Sequence, residues 1–237
     1  MANIFKKNQW ESDFFNQHVF NLEQCHLSKS SEIAFSELPI ESLICCKIAP
    51  SNYLECDQIS SLGFTLVEGE VVFKKKLVSH QHEKMFEKVD SEYYAKNDDL
   101  KDLLKHSEGL YSHSRFREPW FTTKQKDRFY TKWLENAVLG LFDDCCLLIK
   151  ISNKIAGFIT LKLHLNSVSI GLIGVFSPFQ GIGLGSQLLK LAESYALENG
   201  KYEVTVATQL ANSAALKLYS SNNYLISNTA YWFYKQV

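Results

Sequence analysis

The sequence predicts an α/β protein built on a mixed sheet flanked by helices, with a small N-terminal α/β unit ahead of a larger one. Three observations carry this. Strand-like and helix-like apolar patterns alternate along most of the 237 residues. At about 150 residues per domain, that length corresponds to between one and two domains. Five of the 11 glycines (Gly171, Gly174, Gly181, Gly183 and Gly185) crowd into the passage from one strand to the next helix, where backbone must turn sharply or come close to something.

The first unit is expected over residues 1–77. Residues 10–20 are rich in aromatic side chains, and residues 44–48 read as a short buried strand. Ser51-Asn52 can cap a helix that runs to about Leu62, with Gly63 as its stop. Residues 64–73 then read as a strand of mixed polarity. The polar stretch ending at Lys88 has no periodic apolar pattern, so residues 78–88 are expected to be a linker. The second unit is expected over 89–237. Asp98-Asp99 opens a helix that turns Leu100, Leu103 and Leu104 inward. Residues 128–139 form another, with Phe129, Trp133, Leu134 and Val138 at helical spacing. Residues 146–151, 154–165 and 169–176 are strands, the first two joined at Asn153. Residues 185–198 form a long amphipathic helix, with Leu184, Leu188, Leu191 or Ala192, and Tyr195 on one stripe. A strand at 204–207, a helix at 212–221 and a strand at 224–234 complete the chain.

A faint repeat links the two units. Asn52, Ser60, Ser61, Phe73 and Lys75 are matched 160 positions later by Asn212, Ser220, Ser221, Phe233 and Lys235, with Phe64 opposite Tyr224. Coincidence between two common helix–turn–strand units is the competing reading.

Composition excludes several classes. Hydrophobic residues at 46% and charged residues at 22% describe a folded globular protein. The charges nearly cancel, 25 Lys+Arg against 26 Asp+Glu, so long nucleic acid is not the expected partner, while a small anionic ligand needs only a few donors. The opening residues lack the apolar stretch of a signal peptide, and no apolar run approaches the ~20 residues of a membrane helix, so a cytoplasmic protein without membrane insertion is expected. The six cysteines include no C-x-x-C pair and the seven histidines no H-E-x-x-H, so reduced buried thiols and no metal are expected.

The chemistry centres on the run from Val175 through Gln180, Gly181, Ile182, Gly183, Leu184, Gly185 to Ser186. A helix start leaves N–H groups unpaired and positively polarised, which suits phosphate, and glycines let the phosphate approach the backbone. A dinucleotide fingerprint starting at Gly181 or Gly183 fails, because Ser186 and Leu188 stand where its last glycine belongs; the Gly-Lys-Ser/Thr of a P-loop is absent as well. A tight turn that only packs a helix on a sheet is the structural alternative.

The spacing Gln180-x-x-Gly183-x-Gly185 resembles the pyrophosphate signature of the GNAT acetyltransferase superfamily, and the following strand with Asn212 and Tyr219 resembles its next segment. Asn212 and Tyr219 are seven apart and share a helix face. Further blocks at residues 10–15, 62–71, 133–138, 207–209 and 230–232, together with Ser114-Arg115-Phe116-Arg117-Glu118-Pro119-Trp120, are similar to a branch of that superfamily acting on nucleotide-linked amino sugars in enterobacterial common antigen synthesis. Residues 80–104 carry no such similarity, and Asn222-Asn223 replaces the usual helix-ending glycine; asparagine tolerates the same left-handed torsion.

The resemblance implies a GNAT fold with a splayed sheet, preceded by a smaller, truncated GNAT-like domain that cannot carry the chemistry alone, since Ile59 stands opposite Tyr219. It implies acetyl-CoA as co-substrate, held by Ile173, Val175, Gln180, Gly181, Ile182, Gly183, Gly185, Ser186, Asn212 and Tyr219. It implies direct transfer of the acetyl group to the 4-amino group of dTDP-4-amino-4,6-dideoxy-D-galactose. That reaction needs a neutral amine, a stabilised oxyanion and a protonated leaving thiolate. The backbone N–H of Val175 is the expected oxyanion donor and Tyr219 the general acid; Glu68 is the candidate base. Arg115 and Arg117 suit a diphosphate, Trp120 a thymine or sugar face, and Tyr130 and Glu70 are assigned to the same pocket. Plainer roles compete at each position: helix capping for Asn212, core packing for Tyr219, a solvent-facing strand position for Glu68, surface arginines and a packed tryptophan. A GNAT enzyme for another amine (a protein N-terminus or a different amino sugar) and a non-catalytic acyl-CoA-binding module are the other functional readings, and a homodimer stays open.

Overall fold

A computed structural model of the chain describes residues 4–23, 35–77 and 89–237. The expected linker at 78–88 and Cys25 lie outside the described residues. The chain packs into two compact units: Met1–Val71 with Gln209–Ala211 and Asn228–Val237, and Val72–Thr208 with Asn212–Ser227. Compactness therefore divides the chain by contact and not by order, with the last ten residues packing among the first 71.

In the first unit, strand β1 (Phe5–Lys7) pairs antiparallel with β2 (Val19–Leu22), and helix α1 (Gln9–Phe15) connects them. These elements are too short for periodicity to reveal. Asn8 caps α1 by accepting from the Glu11 N–H, and Asn16 ends it in the left-handed region. Strand β3 (Leu43–Ile48) runs parallel to β2, every residue of Val19–Leu22 finding a partner in Leu43–Cys46. Helix α2 (Tyr53–Ser61) and strand β4 (Thr65–Lys76) follow. Asn52 stands at the start of α2 without a side-chain cap; its amide instead donates to Glu55 at 3.1 Å. The other edge of β3 is covered by the last strand, β9 (Leu225–Gln236), antiparallel from Leu43–Gln236 to Ile48–Tyr231. Ile44, Cys46, Ile48, Ile59, Phe64 and Phe233 form the core between them.

In the second unit, α3 (Leu100–Ser107) and α4 (Thr123–Val138) precede an antiparallel meander of β5 (Cys145–Ile151), β6 (Lys154–Leu163) and β7 (Val168–Val175). Helix α4 begins five residues before the expected start because Thr122 and Gln125 form a reciprocal capping box. Helix α5 (Leu184–Glu198) crosses over to β8 (Glu203–Gln209), parallel to β7, and α6 (Ser213–Ser221) leads to β9. Leu103, Leu134, Leu148, Phe158, Leu172 and Phe176 pack one core under α3 and α4.

The repeat has a counterpart in element lengths. Helices α2 and α6 each have nine residues, and β4 and β9 each have twelve, all at the same offset. The turns close alike: Phe64 N–H donates to Ile59 at 3.2 Å and Tyr224 N–H to Tyr219 at 3.1 Å, with Gly63 and Asn223 both left-handed. The asparagine accepts the glycine torsion, as expected.

Among the described residues there is no disulfide; Cys45, Cys46 and Cys146 are buried, and burial pushes the Cys46 and Cys145 thiols up to about 12. No helix among them is long and apolar enough to cross a membrane, and no group of three His, Cys, Asp or Glu could hold a metal ion.

Candidate active site

The site begins where β7 and β8 part. Val168–Ile170 of β7 pair with Val204–Val206 of β8; among the described residues, Gly171–Val175 continue with no strand partner on that side. The cause lies in the opposite ladder. A register shift opposite Thr160 bends β7 away, and Thr160 Oγ1 accepts the Leu172 N–H at 2.8 Å within the bulge. Beyond it, the carbonyl of Ile173 accepts from the Tyr111 hydroxyl at 3.4 Å and that of Val175 from the Gln180 amide at 2.9 Å, while the Phe176 N–H turns to Ala156 of β6. A strand residue directs its N–H and C=O to the same side. The N–H groups of Ile173 and Val175 therefore face the open side of β7, where a polar ligand can run along the strand.

The glycine loop sits at the end of the same strand. Gln180 ties it back to Val175, and Gly181 and Gly183 take φ of 81° and 88°, the left-handed region that favours glycine. Neither would bring a Cβ near another atom, so the need is for torsion. Gly185 is different: a Cβ there would lie 3.0 Å from Leu218, so its absence lets α6 approach α5. The Gln180 N–H bonds to Ser177 and the Ser186 N–H to Gly183; the N–H groups of 181–185 between them take no acceptor among the described residues. No acidic side chain stands in the first turn of α5 to offset its positive end. Ile182 is 60% exposed at the crest of the loop. Ser186 is held by the Asn222 amide at 3.0 Å. Together these present a run of N–H groups without acceptors among the described residues at the start of α5, an arrangement that suits an anion.

Asn212 caps α6, its Oδ1 accepting the Ala215 N–H at 3.1 Å, which leaves its Nδ2 donors uncommitted among the described residues. The plainer reading holds for one end of the side chain and the other end stays available. Tyr219 lies two turns on. It is 2% exposed, with Phe73 and Tyr224 rings at 5.4 and 6.1 Å, and its hydroxyl makes no hydrogen bond within the described residues. Burial holds its phenol well above the ordinary value. Lys75 donates to both oxygens of Glu193 at 2.8 Å and lies over the Tyr224 ring, so an ion pair braces the wall on which Tyr219 rests.

The remaining predicted residues sort by unit. Glu68 and Glu70 belong to the first. Glu68 is half-buried on β4 and accepts the Gly69 N–H at 2.8 Å. Both Glu70 oxygens are engaged, by Lys47 at 2.5 Å and by the Trp232 indole at 3.0 Å. In the second unit, Arg115 stacks on Phe116 at 4.1 Å, Arg117 donates to the Glu118 carbonyl, and the Trp120 backbone N–H closes onto Arg117. Tyr130 shares a 2.8 Å bond with Ser114 and stacks on Tyr111 at 4.3 Å; burial raises its phenol, against the Ser114 bond and the Arg115 charge. Tyr111 carries no spacing signal in the sequence. Only tertiary structure brings it to Ile173.

The fold and this site define a GNAT enzyme. The family model described as acetyltransferase (GNAT) family matches residues 100–224, and the chain belongs to that family; it is an acyl-CoA-dependent N-acetyltransferase. Over 230 residues it is 34% identical to the dTDP-fucosamine acetyltransferase of Escherichia coli O6:H1, covering 95% of both chains. It is also 29% identical over 98 residues, 40% of this chain and 52% of the other, to the N-alpha-acetyltransferase MAK3 of Arabidopsis thaliana. Among solved structures, a GCN5-related N-acetyltransferase from Sphaerobacter thermophilus shares the fold with a TM-score of 0.59 at 14% identity, over 92% of this chain and 73% of that one.

Proposed function

We propose that the chain moves the acetyl group of acetyl-CoA to the 4-amino group of dTDP-4-amino-4,6-dideoxy-D-galactose. The observation that carries this is the extent of the likeness to the E. coli dTDP-fucosamine acetyltransferase, 95% of each chain, so that it includes the region expected to meet the acceptor as well as the acetyl-CoA half. The pantetheine arm lies along the open side of β7, with its pyrophosphate on the N–H groups of 181–185. The acceptor amine attacks the thioester carbonyl, whose oxygen gathers negative charge at the Val175 N–H. As the tetrahedral intermediate collapses, the C–S bond breaks and Tyr219 donates its proton to the thiolate sulfur. Glu68 takes the amine proton, directly or through water. Arg115, Arg117, Trp120 and Tyr130 serve the nucleotide and sugar.

The first unit is read as a reduced, non-catalytic copy of the second. Ile59 replaces Tyr219 at the matching position, and β2 and β3 stay paired along all of β2, leaving no opening for a pantetheine arm.

A protein N-terminus as acceptor is the second reading, favoured by the likeness to the Arabidopsis N-alpha-acetyltransferase. An assay of CoA release separates the two, with dTDP-4-amino-4,6-dideoxygalactose, its gluco epimer and peptide amines as acceptors. Release is expected with the galacto sugar. Release with peptides and neither sugar overturns the proposal.

A further inference from the structure

Two of the clustered glycines, Gly171 and Gly174, lie upstream of the phosphate loop and have no part in it. Each makes room for two residues, Gly171 for Asp143 and Thr160, Gly174 for Leu110 and Phe158. A Cβ on Gly174 would fall 2.4 Å from Leu110, and one on Gly171 would fall 2.4 Å from the Asp143 carboxylate. Between these points stands a row of near-parallel rings. Tyr111, next to Leu110, stacks on Tyr130 at 4.3 Å and 24°; Tyr130 lies against Trp133 at 6.5 Å and 10°. The Trp133 indole N–H donates to Asp143 at 2.9 Å, and Tyr130 is fixed again by Ser114. Asp143 is itself buried. The row thus reaches β7 at both ends, by a bond at one and by Asp143 lying against Gly171 at the other; its front ring puts its hydroxyl on the Ile173 carbonyl, on the strand edge that β8 leaves open.

That position is two residues, about 7 Å of strand, from the Val175 N–H. Burial, and after it the neighbouring Tyr130 and Tyr219 phenols, hold the Tyr111 phenol well above its ordinary value, so it stays a neutral hydroxyl. A ring backed by two others cannot retreat from an acyl chain that lengthens toward it.

We propose that Tyr111, held by the Tyr130–Trp133–Asp143 row, is the wall of the acyl pocket and limits transfer to acetyl. This rests on the acyl-CoA reading of the open edge of β7. The test compares acetyl-, propionyl- and butyryl-CoA, by kcat/KM and by calorimetric affinity, in wild type, Tyr111→Ala and Tyr111→Phe. Removing the ring is expected to raise the butyryl-to-acetyl ratio by about 10-fold or more, the discrimination typical of a methylene in an apolar pocket. Tyr111→Phe keeps the ring and is expected to keep the wild-type ratio. Circular dichroism establishes folding, and Tyr111→Leu replaces the alanine variant if that one unfolds. An unmoved ratio in a folded ring-less variant overturns the wall, as does an equal rise in Tyr111→Phe, which would assign the effect to the hydroxyl. A wild type that binds acyl-CoA but acetylates no sugar overturns the acceptor reading alone, and the affinity ratios still decide on Tyr111.

Discussion

Tyr219 and Ile59 stand at matching places in two helix–turn–strand segments, both buried, yet only one carries a hydroxyl. Among the described residues that hydroxyl has no hydrogen-bond partner, so a leaving thiolate would meet a donor with no competing acceptor. Tyr219→Phe keeps the ring between Phe73 and Tyr224 and is expected to leave acetyl-CoA affinity unchanged while lowering turnover by roughly 10²–10⁴. Steady-state rates with calorimetric binding check this. The sign of the pH dependence follows from the same burial. The neutral phenol is the donor, and burial moves its loss above the ordinary phenol value of about 10. The Tyr219-dependent part of the rate is therefore expected to persist up to pH 10. A fall well below that pH in wild type, absent from Tyr219→Phe, would contradict the assignment.

At the scale of elements, the parting of β7 from β8 and the open start of α5 produce the site together. Gly183 takes its left-handed torsion immediately before the helix, so a side chain there would tilt the N–H groups away from a phosphate. For an L-residue that torsion costs about 1–2 kcal/mol. Gly183→Ala is expected to weaken acetyl-CoA binding by about 10-fold, the equivalent of ~1.4 kcal/mol, with little change in turnover at saturation; isothermal titration and saturation kinetics check it. The glycines of β7 act differently. Gly171 and Gly174 stand on a strand that needs no unusual torsion, and close neighbours account for both.

The whole molecule depends on its C-terminus for its N-terminal unit. Strand β9 covers the edge of β3 from Leu43 to Ile48, and Phe233 belongs to the same core as Ile44 and Phe64. A fragment of residues 1–71 would leave that edge open and that core incomplete. It is expected to be unfolded by circular dichroism and amide dispersion; a cooperative thermal transition in the fragment would contradict this. The compact units are thus not consecutive stretches of chain, whereas the sequence pattern reads as a smaller unit at 1–77 followed by a larger one at 89–237.

Sequence by itself determined the α/β class, the order of the longer elements, the glycine loop before α5 and the Asn212–Tyr219 face. Each of these rests on residues near one another in the chain, where periodicity, capping and glycine torsion act locally. Even the faint repeat at residues 52 and 212 returned as elements of equal length. The short β1, α1 and β2 gave no periodic signal, and the start of α4 was hidden in a capping box. Tertiary structure alone decided that β9 completes the first unit, that both Glu70 oxygens are engaged by Lys47 and Trp232, and that Tyr111 reaches Ile173. These join residues tens to hundreds of positions apart. Their cause is the packing of one element on another, which no spacing in the chain records.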